Sequence, residues 1–118
     1  MRPFPNSALT SGTAEAANGD VDKTILAAPA AGKLIRLTKA IVMVTVVATG
    51  GGGEVALEDG AGGTRFFEAD ADALGVYNID FGDEGYPLTA ATVLNLTVDG
   101  GVTTQATARC TAIGYIVG

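Results

Sequence analysis

Histidine and tryptophan are absent from this 118-residue chain, cysteine occurs once, and serine occurs only as Ser7 and Ser11. Each shortage removes a class of chemistry. Without histidine the chain lacks both the usual acid-base group of neutral pH and the commonest metal ligand. Ser-His-Asp and Cys-His hydrolysis are therefore excluded. The lone Cys110 can form neither an internal disulfide nor a cysteine-based zinc site. Its place on the apolar side of a predicted strand makes it a small core residue. Seven Lys and Arg against 13 Asp and Glu leave a net charge of −6, which opposes nucleic-acid binding, where a basic face must neutralise phosphates. No apolar run reaches membrane-spanning length, since the longest, at 40–48, is interrupted by Thr45. The opening Met-Arg-Pro-Phe-Pro-Asn lacks the apolar segment of a secretory signal, so a soluble product made in the cytoplasm is expected.

What is present is a chain that should fold. It is 47% hydrophobic and 17% charged, with 17 glycines, outside the range of disordered polyelectrolytes and of highly charged helical proteins. Its length supplies one core and not two. Residues 1–21 carry Pro3, Pro5, both serines and Asn18-Gly-Asp20, with no periodicity a core could use. They read as an N-terminal arm, with at most one helical turn at 13–18. Arg2, Phe4 and Pro5 in that arm are candidate partner-binding residues, because Phe4 is an apolar group on an otherwise unanchored strap. On this reading, removing residues 1–20 leaves the domain folded.

From residue 22 to 118 the pattern is that of short strands. Residues 24–28 form the first, and Pro29-Ala-Ala-Gly32 turns the chain back. Residues 33–48 form a long strand or a bent pair. Ile35, Leu37, Ile41 and Met43 share one side; Ala40, Val42, Val44 and Val46 share the other. Both sides are apolar from Ala40 onward, which predicts a strand covered on both faces, with a bulge near Lys39. Further strands are predicted at 54–58, 64–68, 75–81 with Tyr77, Ile79 and Phe81 inward, and 92–98 with Leu94, Leu96 and Val98 inward. Residues 83–87 form a turn that exposes Tyr86, a further candidate for partner binding. Asp99-Gly-Gly101 makes a tight hairpin. The last strand, 102–117, has Ala106, Ala108, Cys110 and Ala112 on one side and Thr103, Gln105, Thr107, Arg109 and Thr111 on the other. Seven or eight strands joined by glycine turns, with no long amphipathic helix, predict an all-β, antiparallel β-sandwich of jelly-roll type.

Several strings imitate functional motifs. Glu68, Asp70 and Asp72 are spaced like calcium ligands, but the glycine and closing glutamate of a calcium loop are missing. The Gly50–Gly53 run lacks the Lys and hydroxyl that end a phosphate loop. Glu68 and Asp80 are conceivable paired carboxylates for glycoside hydrolysis, yet no tryptophan is present to stack a sugar. The reading is a protein that is not an enzyme and uses no cofactor or metal. Residues 54–84 hold nine acids and one base, a local charge of −8. Either this is a solvated surface that maintains solubility, or it docks on a basic partner.

The stretch Thr-Ile-Leu-Ala-Ala-Pro-Ala-Ala-Gly-Lys-Leu-Ile-Arg-Leu at 24–37 is followed by a valine-rich strand. Leu-Thr-Ala-Ala-Thr-Val-Leu-Asn-Leu-Thr-Val at 88–98 and Gly-Tyr-Ile-Val at 114–117 come after it. Together these resemble small bacteriophage virion proteins with a β-sandwich domain, most of all capsid decoration (cement) proteins. The resemblance covers residues 22–118. It implies a homo-oligomer, a trimer by preference, seated on the major capsid protein at the outer surface of the phage head, with neither nucleic acid nor membrane as partner. The related alternative is a head-fibre or tail receptor-binding module that grips a host glycan.

Overall fold

Side chains that alternate along a strand give it one apolar and one polar side, and burying the apolar sides together leaves two sheets face to face. The computed structural model describes residues 8–17, 22–47, 53–99 and 106–118. These form nine strands and no helix: β1 (Ala8–Ala16), β2 (Lys23–Leu26), β3 (Leu34–Val46), β4 (Glu54–Asp59), β5 (Thr64–Asp70), β6 (Gly75–Asp80), β7 (Tyr86–Pro87), β8 (Leu94–Asp99) and β9 (Thr107–Val117). The larger sheet runs β1-β9-β3-β6, with the two-residue β7 also on β3, and the smaller runs β2-β8-β4-β5. Every ladder is antiparallel. The molecule is an all-β, antiparallel sandwich, as the patterning predicts.

The ladders are nested: β1 pairs with β9, β2 with β8, β3 with β6, and β4 with β5. Ile35, Leu37 and Val42 of the larger sheet and Leu57, Leu94 and Leu96 of the smaller are fully buried between the layers. At about 1.5–3 kcal/mol for each large apolar side chain, this core is the main force holding the sheets together.

Three features differ from the sequence reading. The first is the arm. Ala8–Ala16 is not a strap but an edge strand, in register with β9 from Ala8↔Ile116 to Ala16↔Ala108, and residues 13–16 of the expected helical turn belong to it. Its inward positions, Gly12, Ala14 and Ala16, are too small to produce an apolar alternation. The strand is held by its backbone ladder, which leaves little trace in composition. The domain therefore begins by Ala8 and not at residue 22, while Arg2, Phe4 and Pro5 lie outside the described residues.

The second is β3. Its register on β9 slips between Leu37 and Lys39, so a bulge does sit where it was expected, with Thr38 donating its hydroxyl to the Ile113 carbonyl at 3.0 Å. The bulge moves the inward phase from Ile35 and Leu37 to Ala40, Val42 and Val44. Ile41 and Met43 are then turned to solvent, 42% and 36% exposed. The strand is not covered on both faces.

The third is Tyr86. A slip in the β4–β5 register pairs Leu57 with Phe67 but Glu58 with Arg65, which leaves Phe66 as an extra residue turned toward the larger sheet. Tyr86 stacks on it, with ring centroids 4.5 Å apart and planes 16° apart. Phe66 and Phe81 meet edge to face at 5.9 Å, as do Phe67 and Tyr77 at 5.8 Å. These rings seal the sandwich between β5 and β6. Tyr86 belongs to that half-buried seam rather than to an exposed turn. The glycines of the expected hairpin at 99–101 and most of the run at 50–53 lie outside the described residues.

Candidate functional site

The reactive side chains come first, because they decide whether any chemistry is available. Cys110 lies on the inner side of β9, fully buried, and burial pushes its thiol up from 9.0 to about 12. At neutral pH it is a protonated, inaccessible group. The conceivable carboxylate pair is split between the sheets: Glu68 on β5 lies 3.8 Å from Arg65, while Asp80 at the end of β6 accepts the Gly82 amide at 2.8 Å. Asp72, from the calcium-like string, accepts the Gly53 amide at 3.1 Å. Among the described residues no three Asp, Glu, His or Cys side chains converge as metal ligands.

Among the described residues Glu58 is the one buried acid. Thr97 donates its hydroxyl to one carboxylate oxygen at 2.7 Å, and Arg65 donates its Nε–H to the other at 3.2 Å. Arg65 also lies 3.8 Å from Glu54. The cluster ties β4, β5 and β8 together across the smaller sheet, so its charges serve packing. Beside it, Glu54, Glu68, Asp70 and Tyr77 line an open acidic depression.

The outer face of the larger sheet is different in kind. The ladder registers set its side chains in rows across β1, β9, β3 and β6. One row is Ser11, Ile113, Lys39 and Asp80. The next is Thr13, Thr111, Ile41 and Asn78, and the third is Glu15, Arg109, Met43 and Val76. Val76 is 57% exposed, so Ile113, Ile41, Met43 and Val76 form an apolar band running obliquely across the face. Shallow hollows flank Ile41 on both sides, one toward β9 and one toward β6. Thr13 and Thr111 bond hydroxyl to hydroxyl at 3.0 Å, and Arg109 donates to Glu15 at 3.1 Å. A sheet face with a central apolar band and polar edges has the layout of a protein contact surface.

Apart from Asp80, weighed as half of a carboxylate pair, none of the residues of this face was among the candidates drawn from sequence. Ile41 and Met43 were assigned to a covered side, and the signal that could have placed them outside is the bulge, which reverses the facing of the residues after it as far as Val44. No protein-family model and no curated protein matches the chain.

Proposed function

We propose that the chain is a structural subunit that works by adhesion: a capsid decoration protein that binds the outer surface of a phage head, contacts the major capsid protein and stabilises the shell. The observation that carries this reading is the apolar band of Ile41, Met43 and Val76 on an ordered sheet face. The thiol and the buried acid of the same molecule are committed to packing. We infer further that the sandwich is a jelly roll, since the nested ladders of the two sheets have the order produced by folding one long hairpin over on itself. In this reading the subunit is homo-oligomeric and resides on the virion, and residues 1–7, with Arg2, Phe4 and Pro5, reach neighbouring subunits.

The test is co-sedimentation of the purified chain with phage heads assembled without it. Saturable binding, together with a higher temperature of head disruption, is the expected result. A chain that stays in the supernatant at all concentrations would overturn the assignment.

A further inference from the structure

Over the three rows through Ser11, Thr13 and Glu15 the charges on the outer face of the larger sheet cancel; Arg36, in the next row toward β7, stands at the margin and donates to the Glu84 carbonyl at 3.4 Å. Glu15 and Arg109 form one pair, 3.1 Å apart, and Lys39 and Asp80 stand opposite each other in the β3–β6 ladder. The two pairs occupy opposite corners of the face, and the row between them, Thr13, Thr111, Ile41 and Asn78, carries no charge. The rest of the molecule is strongly acidic. Glu54, Glu68 and Asp70 crowd the smaller sheet, with Asp72, Asp83 and Glu84 in the turns on either side of β6.

This distribution limits what can cover the apolar band. A basic partner would be drawn to the acidic side of the molecule and gain nothing electrostatic from a neutral face. Two copies of a chain carrying −6 repel wherever their acidic surfaces meet, and they approach without net repulsion through a face whose charges cancel. The size also fits. The four strands are 9, 11, 13 and 6 residues long, and at ~3.4 Å per residue and ~4.8 Å between strands they tile roughly 600 Å² before side-chain relief is added. A standard interface takes about 800 Å² from each partner. An uncharged centre crossed by the apolar band, with opposite charges toward the corners, matches the usual division into core and rim.

We infer that this face is a self-association surface, covered in solution by the same face of a second copy. A contact between like faces closes at two chains. Each corner pair brings its own counter-charge, so no lone charge is buried when the faces meet. The inference rests on reading this face as adhesive and not on the phage head, so its test needs no particle. Both readings use this band, so their failures separate by outcome: a chain that binds heads but stays single in solution keeps the capsid contact and overturns the pair, and a two-chain mass without head binding does the reverse.

The experiment is sedimentation velocity with light scattering on the full chain over a dilution series, for the wild type, Met43→Asp, Val76→Asp and the smaller-sheet control Glu68→Gln. The wild type and the control are expected to show a two-chain mass that dissociates on dilution. Each aspartate variant should weaken association by at least about tenfold, the loss typical of a charge placed in an interface core. Circular dichroism checks folding; Val76 lies on an edge strand and is 57% exposed, so that variant carries the test if Met43→Asp unfolds. A single-chain mass for the wild type at every concentration would overturn the inference. So would a two-chain or three-chain mass that a folded Val76→Asp variant leaves unchanged.

Discussion

Gly12 of β1 packs its bare Cα against the carbonyl oxygen of Ile25 in β2, an approach that a β-carbon at residue 12 would block. This is where the edge of the larger sheet closes over the edge of the smaller one, opposite the aromatic seam between β5 and β6. A backbone carbonyl inside a strand cannot swing aside as a flexible side chain can. Gly12→Val is therefore expected to destabilise the fold by at least about 2 kcal/mol, within the range of overpacked sites. The midpoint of urea denaturation is the measurement, and an unchanged midpoint would show that the two edges do not meet this closely.

The same contact changes what truncation should do. Deleting residues 1–7 leaves all nine β1–β9 register pairs in place and is expected to preserve the native circular dichroism and a cooperative melt. Deleting residues 1–16 removes β1, bares the edge of β9 along Ala108, Cys110 and Ala112, and should give an unfolded or aggregating product. If the longer truncation melted like the full chain, β1 would be an accessory to the sandwich and not part of it.

Arg65 and Glu58 make a prediction about charge. Arg65→Met leaves the Glu58 carboxylate buried with Thr97 as its remaining side-chain donor, and breaking a buried pair from one end is costly. Because the Arg65 side chain is itself 29% exposed, a loss of about 2 kcal/mol is expected, below the usual 3–5 kcal/mol. Glu68→Gln removes only a 3.8 Å contact at the surface and should cost less than about 0.5 kcal/mol. Equal losses for the two variants, read from chemical denaturation, would contradict a structural role for Glu58.

Cys110 makes a prediction about alkaline pH. Its thiol ionises near 9.0 in the unfolded chain and is pushed to about 12 by burial in the folded one. Between those values the unfolded state holds fewer protons than the folded state, so this group's contribution to stability is intact below pH 9 and declines as pH rises. The slope is at most about 1.4 kcal/mol per pH unit. Subtracting the curve for Cys110→Ala from that of the wild type isolates it from tyrosine and lysine. A flat difference curve from neutral pH to pH 11 would contradict the burial, as would rapid reaction of the native protein with a thiol reagent.

The inner positions of this fold were legible wherever large apolar residues alternate. Leu94, Leu96 and Val98, the alanines flanking Cys110, and Tyr77, Ile79 and Phe81 all face the way their spacing implies. Two things were hidden. Apart from the exposed Leu9 and Glu15, the β1 strand is built from Gly, Ala, Ser and Thr, residues with little core-forming signal, and it is held by a ladder whose partner lies some hundred residues away in β9. The apolar outer face was hidden at Thr38, because one extra position in a strand exchanges its inner and outer sides. Tyr86 was misplaced for a related reason: the bulge at Phe66 supplies its stacking partner, and local sequence gives no sign of that long-range contact.

The most direct test of the central claim is the number of copies of this chain in purified phage particles, counted by gel densitometry against the major capsid protein. An adhesive subunit that coats a lattice is expected in the hundreds per particle. A few copies would move it to a fibre or tail, and its absence from the particle would contradict the account.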